Sequence, residues 1–239
     1  YDMMNGVGAH EIVIETPNHA DEMGLMSEMQ TKEVLWAWRD RIVDLSRDRR
    51  LKYAMVFKNK GARAGATLQH PHSQIIALPI VPLRVQEELD GARQYYTYKD
   101  RCVFCDVVQQ ELADRERVVE ETDRFVTVVP FAQRFPFEMW VLPKQHESDY
   151  TRTTRHDFLE LAGLLKRTLL RLRGALDDPP FNLVLHTAPL NSEALPHYHW
   201  HMEIMPRIIH TAGFERGTGF YINPTRPEET AQFLREVRL

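Results

Sequence analysis

Two runs of alternating hydrophobic and polar positions resemble each other along the chain. Residues Glu11–Thr16 alternate and lead through Pro17 to His19, and residues Phe137–Leu142 do the same ahead of His146. Alternation with a period of two predicts a β-strand that is buried on one face. Each run therefore predicts a strand that ends close to a histidine.

Apolar residues at helical spacing follow each of these histidines. In the first half they are Val34, Leu35, Trp38, Ile42 and Leu45, and in the second half they are Phe158, Leu161, Leu165, Leu169 and Leu172. A spacing of three or four residues predicts an amphipathic helix with one face on the core. An apolar strand is then predicted over residues 53–57 in the first half and over residues 181–185 in the second.

A second predicted strand in each half carries histidines at every other position. The first such strand begins at His70 and the second at His197. The interval from His19 to His70 is 51 residues, and the interval from His146 to His197 is the same. The same order of elements at the same interval indicates an internal duplication.

The predicted fold is α+β, with two tandem halves that each form an antiparallel sheet with a helix packed on one face. The first half covers residues 1–81 and the second covers residues 102–239. A linker over residues 82–101 separates them, and Arg84–Tyr98 can form a helix there. The two sheets can also merge into one broader sheet.

The amino-acid composition limits the kinds of partner that this protein is expected to bind. The 239 residues are 43% hydrophobic and 27% charged, which is typical of a globular protein. The formal net charge is −4, and no run of Lys and Arg suits a nucleic-acid backbone. No stretch approaches the apolar length of a membrane span, and the first residues do not resemble a signal peptide. We therefore expect a soluble cytoplasmic protein that binds neither nucleic acid nor membrane.

The chain has two cysteines, Cys102 and Cys105, and a Cys-x-x-Cys turn presents two thiolates to one Zn²⁺ ion. The duplication marks His146 and His197 as the other two ligands. A closed set of two Cys and two His would hold structural zinc. The alternatives are a pair of buried thiols and a redox motif.

By the same duplication, His19 and His70 are expected to be half of a second metal site. Its two cysteines would lie about 25 residues before Tyr1, at the offset that relates the two halves. Either a further segment carries them, or the first half never had them.

A nucleophile is predicted on the strand that begins at His70. On a strand, His70, His72 and Gln74 point to one face. A neutral imidazole can attack phosphorus and leave again, which divides a transfer into two steps. If His70 binds metal, His72 is the nucleophile. We then expect a backbone carbonyl to hold the second ring nitrogen of His72. The side-chain amide of Gln74 is expected to donate to a phosphate oxygen. His199 is an equal candidate from the residues alone.

A glycine-containing loop precedes this strand. Residues 59–67 include Asn59, Gly65 and Thr67, and their backbone amides and hydroxyl group can cradle a diphosphate. Loops of small residues are common between strands, so this prediction depends on the neighbouring histidines.

Several motifs together resemble those of the galactose-1-phosphate uridylyltransferase family, a branch of the histidine-triad superfamily with two fused halves. They are Ile14–His19, Asn59–Gln74, Cys102–Cys105, Pro143–His146, Gly213–Glu215 and Pro227–Glu229. The resemblance implies galactose metabolism and a ping-pong transfer, in which UDP-glucose gives its uridylyl group to His72 and a hexose 1-phosphate then takes it. It also implies structural zinc and a substrate-binding role for Glu215.

Other functions fit the same residues. The segment after Glu215 lacks the glutamine of the long-studied uridylyltransferases and is similar to that of relatives that act as nucleoside-diphosphate-sugar phosphorylases. An adenylyl-transferring phosphorylase that acts on ADP-glucose or a dinucleoside polyphosphate is therefore the alternative, since nothing in the chain distinguishes uracil from adenine. A histidine-triad hydrolase and a non-catalytic, zinc-stabilised nucleotide-binding protein are others. A homodimer is predicted if aromatic residues of the helices are exposed, and packing in the core is the alternative for the same residues. The candidates are Trp36, Trp38, Tyr95, Tyr96 and Tyr98.

Overall fold

A computed structural model describes residues 3–239. The helices are α1 (Glu28–Leu45), α2 (Leu83–Lys99), α3 (Val103–Asp114), α4 (Asp157–Leu176), α5 (Gly213–Thr218) and α6 (Pro227–Glu236), with short 3₁₀ turns at Ala62–Ala64 and Tyr150–Arg152. The strands are β1 (Ala9–Ile14), β2 (Tyr53–Lys60), β3 (His72–Leu78), β4 (Val118–Glu121), β5 (Phe125–Val128), β6 (Met139–Pro143), β7 (Phe181–His186) and β8 (His201–Pro206).

The strands form one eight-stranded sheet in the order β1-β3-β2-β7-β8-β6-β5-β4, in which each strand is antiparallel to its neighbours. The order β1-β3-β2 in the first half is mirrored by β6-β8-β7 in the second. The halves therefore meet edge to edge, where β2 pairs with β7. The prediction of an α+β fold is confirmed, and the two half-sheets are merged into one.

The predicted amphipathic helices are α1 and α4, and they pack against each other. Helix α1 begins with a capping box, in which the Ser27 hydroxyl accepts from the Gln30 amide and the Gln30 side chain accepts from the Ser27 amide. The side chain of Trp38, in the middle of α1, is fully buried, and its indole N–H donates to the Ser73 hydroxyl at 2.7 Å. The expectation that Trp38 is exposed for dimerisation is therefore wrong, because its side chain anchors α1 to β3.

A second group of helices packs against part of the sheet in the second half. Leu89 of α2 and Phe104 of α3 share an apolar cluster with Val126, Leu142 and Tyr198. Helix α2 confirms the helix predicted for residues 84–98. The cysteine pair at the start of α3 is thereby fixed against the second half of the sheet.

The histidine-rich strand predicted at His197 is only partly formed. Strand β8 begins at His201. The amide of Tyr198 donates to the carbonyl of Leu195, and the amide of Trp200 donates to Glu147 at 2.9 Å, so these amides bond to loops and not to a neighbouring strand. The prediction of one continuous strand face from His197 to His201 is therefore wrong.

Helices that could cross a lipid bilayer are absent from residues 3–239, because none combines the necessary length and apolarity.

Candidate active site and metal centre

His72 is the first residue of β3 and lies at the wall of a large cavity. Ser73 points to α1, so alternation along the strand directs His72 to the opposite face. The ring is almost fully buried, and its Nδ1 donates to the carbonyl oxygen of His70 at 2.8 Å. This is the backbone contact expected for a nucleophilic histidine, and it leaves Nε2 with the lone pair.

The cavity has a volume of about 620 Å³. Among the residues predicted to form the site, those that line it are Asn59, Thr67, His70 and His72. Gly65, Gln74 and Glu215 do not line it. Glu215 instead accepts from the amide of Ala212 at 3.0 Å, at the start of α5.

Gln74 lies two residues beyond His72 on the same strand face. Its side-chain oxygen is hydrogen-bonded to the Nε2 atom of His10 at 2.8 Å. When His10 donates, the amide nitrogen of Gln74 is left as a donor, which is the role that the sequence predicts for it. His10 was not predicted from the sequence, because a single histidine on an exposed edge strand carries no distinguishing pattern.

The loop between β2 and β3 is a tight turn. The amides of Ala64, Gly65 and Ala66 donate to carbonyl groups of Gly61 and Ala62. The prediction that loop amides cradle a diphosphate is therefore wrong for these three amides, because the turn itself uses them. Residues of the loop that line the cavity include Gly61 and Thr67, and Asn59 lines it from the end of β2.

Two glycines make this turn possible. Gly61 has φ of 81° and Gly65 has φ of 87°, a backbone region that L-residues with a side chain rarely adopt. A Cβ atom at Gly61 would lie only 2.9 Å from Cβ of Pro180, whereas a Cβ at Gly65 meets nothing closer than 3.9 Å. The turn therefore needs glycine at Gly65 for its conformation, and at Gly61 for both conformation and space.

We expect Gly65→Ala to lower the free energy of unfolding by about 1–2 kcal/mol, the cost of a side chain in the left-handed region. Gly61→Ala should cost more, because its new methyl group also clashes with Pro180. Gly91→Ala is the matched control: Gly91 is exposed inside α2 with open space around it, so alanine should stabilise by about 0.5–1 kcal/mol. Urea unfolding of the three variants checks this order, and equal stability of Gly61→Ala and wild type would contradict it.

A buried ion pair lies beneath His72. Lys58 Nζ donates to Glu15 Oε2 at 2.8 Å and to the carbonyl oxygen of His72 at 3.2 Å. Both side chains are almost inaccessible, with exposures of 5% and 0%. The pair fixes the backbone at the start of β3 to the end of β1.

Charged side chains from both halves form one rim of the cavity. Lys60 pairs with Glu22 and Asp178, and Arg173 pairs with the same two carboxylates. Two cations and two anions balance in charge, so this rim offers both donors and acceptors to a polar ligand.

Cys102, Cys105, His146 and His199 form a compact group whose ligand atoms all lie within 4.8 Å of one another. The Sγ atom of Cys105 is 3.4 Å from Nδ1 of His146 and 3.6 Å from Nδ1 of His199. Hydrogen bonding between the two cysteine side chains lowers the pKa of Cys102 and raises that of Cys105. Two thiol and two imidazole ligands are the donor set of a structural zinc site, and the group is compatible with such a metal.

The prediction of His197 as the fourth ligand is corrected to His199. The His197 ring packs edge-on against Tyr96, with centroids 6.4 Å apart, and lies outside the group of ligand atoms. The Nδ1 atom of His199 faces the thiols because Nε2 is held by the carbonyl of Pro143 at 2.9 Å. Such outer contacts orient the ring of a ligating histidine.

The first half repeats this geometry with His19 and His70. Their Nδ1 atoms are 3.2 Å apart, and Nε2 of His70 is held by the carbonyl of Thr16 at 2.7 Å, as His199 is held by Pro143. His70 therefore corresponds to His199, and His72 corresponds to His201. The two converging nitrogens agree with the predicted half-site, whose metal binding stays a prediction.

The second-half counterpart of His72 does not line the cavity that His72 lines. His201 repeats the contact of its Nδ1 with the carbonyl two residues earlier, at 3.1 Å, but its ring lies between His186 and Phe104. His199, an equal nucleophile candidate from the sequence, belongs to the metal group. In this geometry, His72 is the histidine with a free ring nitrogen at the cavity.

A second group, Glu88, His186 and His201, brings ligand atoms within 4.8 Å of one another. Nδ1 of His186 is 2.9 Å from Glu88, and Glu203 lies on the other side of the ring. Burial lowers the pKa of His186, but the adjacent carboxylates of Glu203 and Glu88 outweigh burial and raise that pKa to about 10. The sequence could not predict this group, because α2, β7 and β8 contribute one residue each at irregular spacing.

Two family models match the chain, and together they cover most of it. The model described as galactose-1-phosphate uridyl transferase, N-terminal domain, matches residues 1–82. The model of the C-terminal domain of the same family matches residues 88–230.

Individual proteins are similar over almost the whole chain. The chain is 39% identical to ADP-glucose phosphorylase of Arabidopsis thaliana over 236 residues, which is 98% of this chain and 66% of that protein. It is 35% identical to galactose-1-phosphate uridylyltransferase of Thermotoga maritima over 97% of this chain and 75% of that protein. A crystal structure of the Arabidopsis phosphorylase with bound ADP-glucose superposes with a TM-score of 0.91 and 39% identity, over 97% of this chain and 74% of that one. The chain thus spans about two thirds of the length of the Arabidopsis relative.

Proposed function

The chain belongs to the galactose-1-phosphate uridyl transferase family, and from that premise we propose that it transfers a nucleotidyl group from a nucleotide sugar through a covalent intermediate on His72. The observation that carries the proposal is the state of the His72 ring. Its Nδ1 is fixed to the His70 carbonyl at 2.8 Å, and its Nε2 is free at the wall of the cavity.

In the first step, the lone pair on Nε2 of His72 attacks the α-phosphorus of the nucleotide sugar. A P–N bond forms, the bond to the bridging oxygen breaks, and the hexose 1-phosphate leaves with the electron pair. The ring becomes cationic without losing a proton, because Nδ1 keeps its hydrogen. The carbonyl of His70 accepts from that hydrogen and stabilises the positive ring.

In the second step, a phosphate oxygen of the acceptor attacks the same phosphorus. The P–N bond breaks and returns its electron pair to Nε2, which restores the neutral imidazole. The donors proposed to stabilise the charge on the phosphoryl oxygens are the side chains of Asn59, Thr67 and Gln74. Asn59 and Thr67 line the cavity, and Gln74 has its oxygen turned to His10.

Two substrate pairs are candidates. UDP-glucose with a hexose 1-phosphate is the pair predicted from the motifs, and the Thermotoga relative supports it. ADP-glucose with inorganic phosphate is supported equally well, because an Arabidopsis relative is an ADP-glucose phosphorylase and its structure contains ADP-glucose. The residues after Glu215 also favour the phosphorylase, since that segment lacks a glutamine.

A crossed assay distinguishes the two pairs. We expect purified protein to consume either UDP-glucose with galactose 1-phosphate or ADP-glucose with inorganic phosphate, and each product set is separable by chromatography. Exchange of labelled glucose 1-phosphate into the same nucleotide sugar, with no second acceptor present, should accompany either activity because the transfer is ping-pong. Absence of both the transfer and the exchange with both nucleotides would contradict the proposed function.

We also infer that Cys102, Cys105, His146 and His199 hold structural zinc. Four protein ligands would close the coordination sphere, so the metal would stabilise the start of α3 against β6 and β8 without touching substrate. The proposal of a homodimer and of a cytoplasmic location stands on the sequence and family resemblance alone.

A further inference from the structure

Asn59 has a partner in the other half of the molecule. Asn59 of β2 and Asn182 of β7 are direct partners in the antiparallel pairing at which the two half-sheets meet. The Nδ2 atom of Asn182 donates to Oδ1 of Asn59 at 2.7 Å. Asn182 itself does not line the cavity, whereas Asn59 does.

The same nitrogen makes a second contact. Nδ2 of Asn182 donates its other hydrogen to the carbonyl of Ala64 at 2.8 Å, in the turn that follows β2. Both hydrogens of this amide are therefore used. Asn182 ties together the side chain of Asn59 and the backbone of the turn.

These contacts determine which way the Asn59 amide points. An asparagine amide has an acceptor end and a donor end, and its orientation follows from its hydrogen bonds. Because Oδ1 of Asn59 accepts from Asn182, its Nδ2 must face away, and it lies towards Gly65, where an added Cβ would be 3.9 Å from it. Since Asn59 lines the cavity, a ligand there can accept a hydrogen bond from this donor end.

We propose that Asn182 is a positioning residue for nucleotidyl transfer: it holds the Asn59 amide with its NH₂ group available to a phosphoryl oxygen. The expected effect on catalysis rests on the proposed function, whereas the orientation of the Asn59 amide rests only on its hydrogen bond with Asn182. A donor that is already oriented stabilises developing charge without reorganisation in the transition state, so its loss should lower kcat more than it changes KM. A residue of the second half, Asn182, would thus affect the rate of transfer through His72 in the first half.

Two substitutions separate orientation from packing. Asn182→Ala removes the donor and lets the Asn59 amide adopt both orientations, and we expect kcat to fall about tenfold, the effect of one net hydrogen bond. Asn182→Asp keeps the size but presents a carboxylate to Oδ1 of Asn59, which favours the flipped amide. Its kcat should fall further, by about 100-fold, with KM changed by less than about threefold.

The control variant is Val184→Ala, on the same face of β7 two residues away, which should leave both kinetic constants unchanged. In an Asn59→Ala background, Asn182→Ala should lower kcat by less than about twofold, because residues that act as a unit are not additive. Full additivity of the two substitutions would overturn the proposal. So would a purely structural outcome, in which Asn182→Asp lowers the melting temperature and leaves kcat intact.

An NMR measurement decides the orientation independently of activity. The side-chain NH₂ resonances of Asn59 can be assigned by their loss in Asn59→Ala. In Asn182→Ala they should move, and in Val184→Ala they should stay. If wild-type protein proves inactive with every nucleotide sugar, the proposed function fails while the resonances still test the contact. If the protein is active and the Asn59 resonances are the same in wild type and Asn182→Ala, the inference fails alone.

Discussion

His72→Gly should abolish formation of a nucleotidyl-protein adduct and lower steady-state transfer by at least about 10⁴-fold, since removing a covalent nucleophile eliminates the two-step route. The geometry of the cavity also explains why no other histidine is expected to replace His72. No other histidine in residues 3–239 combines a free ring nitrogen with a place in this cavity. His70 also lines it, but its Nδ1 contacts His19 and its Nε2 is held by the carbonyl of Thr16. His201 is enclosed by other rings, and His199 belongs to the group with the two thiols. Intact-mass measurement after mixing with a nucleotide sugar and no acceptor detects the adduct directly.

The fold should survive this substitution. His72 makes a side-chain hydrogen bond to a backbone carbonyl and lies at the cavity wall, so glycine opens space that joins the cavity. Added imidazole should restore part of the transfer by occupying that space. His156→Gly, at an exposed position at the start of α4, is the control and should keep full activity. Adduct formation by His72→Gly at the wild-type rate would contradict the assignment.

Cys105→Ser should remove the bound metal and lower the free energy of unfolding by about 3 kcal/mol or more, because zinc binding in such sites is coupled to folding. For a chain of this size that corresponds to a fall in melting temperature of roughly 6–12 °C. The loss should be large because the thiol is central to the group, 3.4 Å and 3.6 Å from two of its imidazoles. Metal analysis by mass spectrometry and thermal unfolding check the two effects together.

His199→Ala and His197→Ala form a matched pair for the same site. They are two residues apart, and both rings are buried, but only His199 belongs to the ligand group. His199→Ala should lower the metal content, and His197→Ala should retain it. Wild-type metal content and melting temperature in Cys105→Ser would rule out a metal centre here, and metal loss in His197→Ala alone would restore the original ligand assignment.

Much of the fold was predictable because local patterns report local structure. The alternation before His19 predicted β1, and the helical spacing of Trp38 and its neighbours predicted α1. The repeated order of elements predicted the duplication, and the sheet order around the junction of β2 and β7 is symmetric in the same way. The backbone contact of His72 also followed from the chemistry of a nucleophilic histidine.

The prediction of His197 as a metal ligand was wrong because the two halves do not place equivalent residues at equal intervals along the chain. The second half needs two more residues between His146 and its ligand, His199, than the first half needs between His19 and His70. The extra length lies in a loop whose amides bond to Leu195 and Glu147, and no periodic pattern reveals it.

Other site residues could not be found from the sequence because they act through tertiary contacts. Asn182 is an ordinary polar residue of an alternating strand, and only the register of β2 against β7 places it opposite Asn59. The pair of Lys58 and Glu15 is similar: a lysine in a strand predicts an exposed side chain, whereas here both charges are buried beneath His72. Contacts between elements that are distant in sequence have no local signal.

Locating the nucleotidyl group on the protein tests the role of His72 most directly. The protein is mixed with UDP-glucose or ADP-glucose, digested under mildly alkaline conditions that preserve a P–N bond, and sequenced by tandem mass spectrometry. We expect a single added uridylyl or adenylyl group on His72, which disappears when acceptor is supplied. A nucleotidyl group on any other residue, or transfer that proceeds in wild-type protein without any adduct, would contradict it.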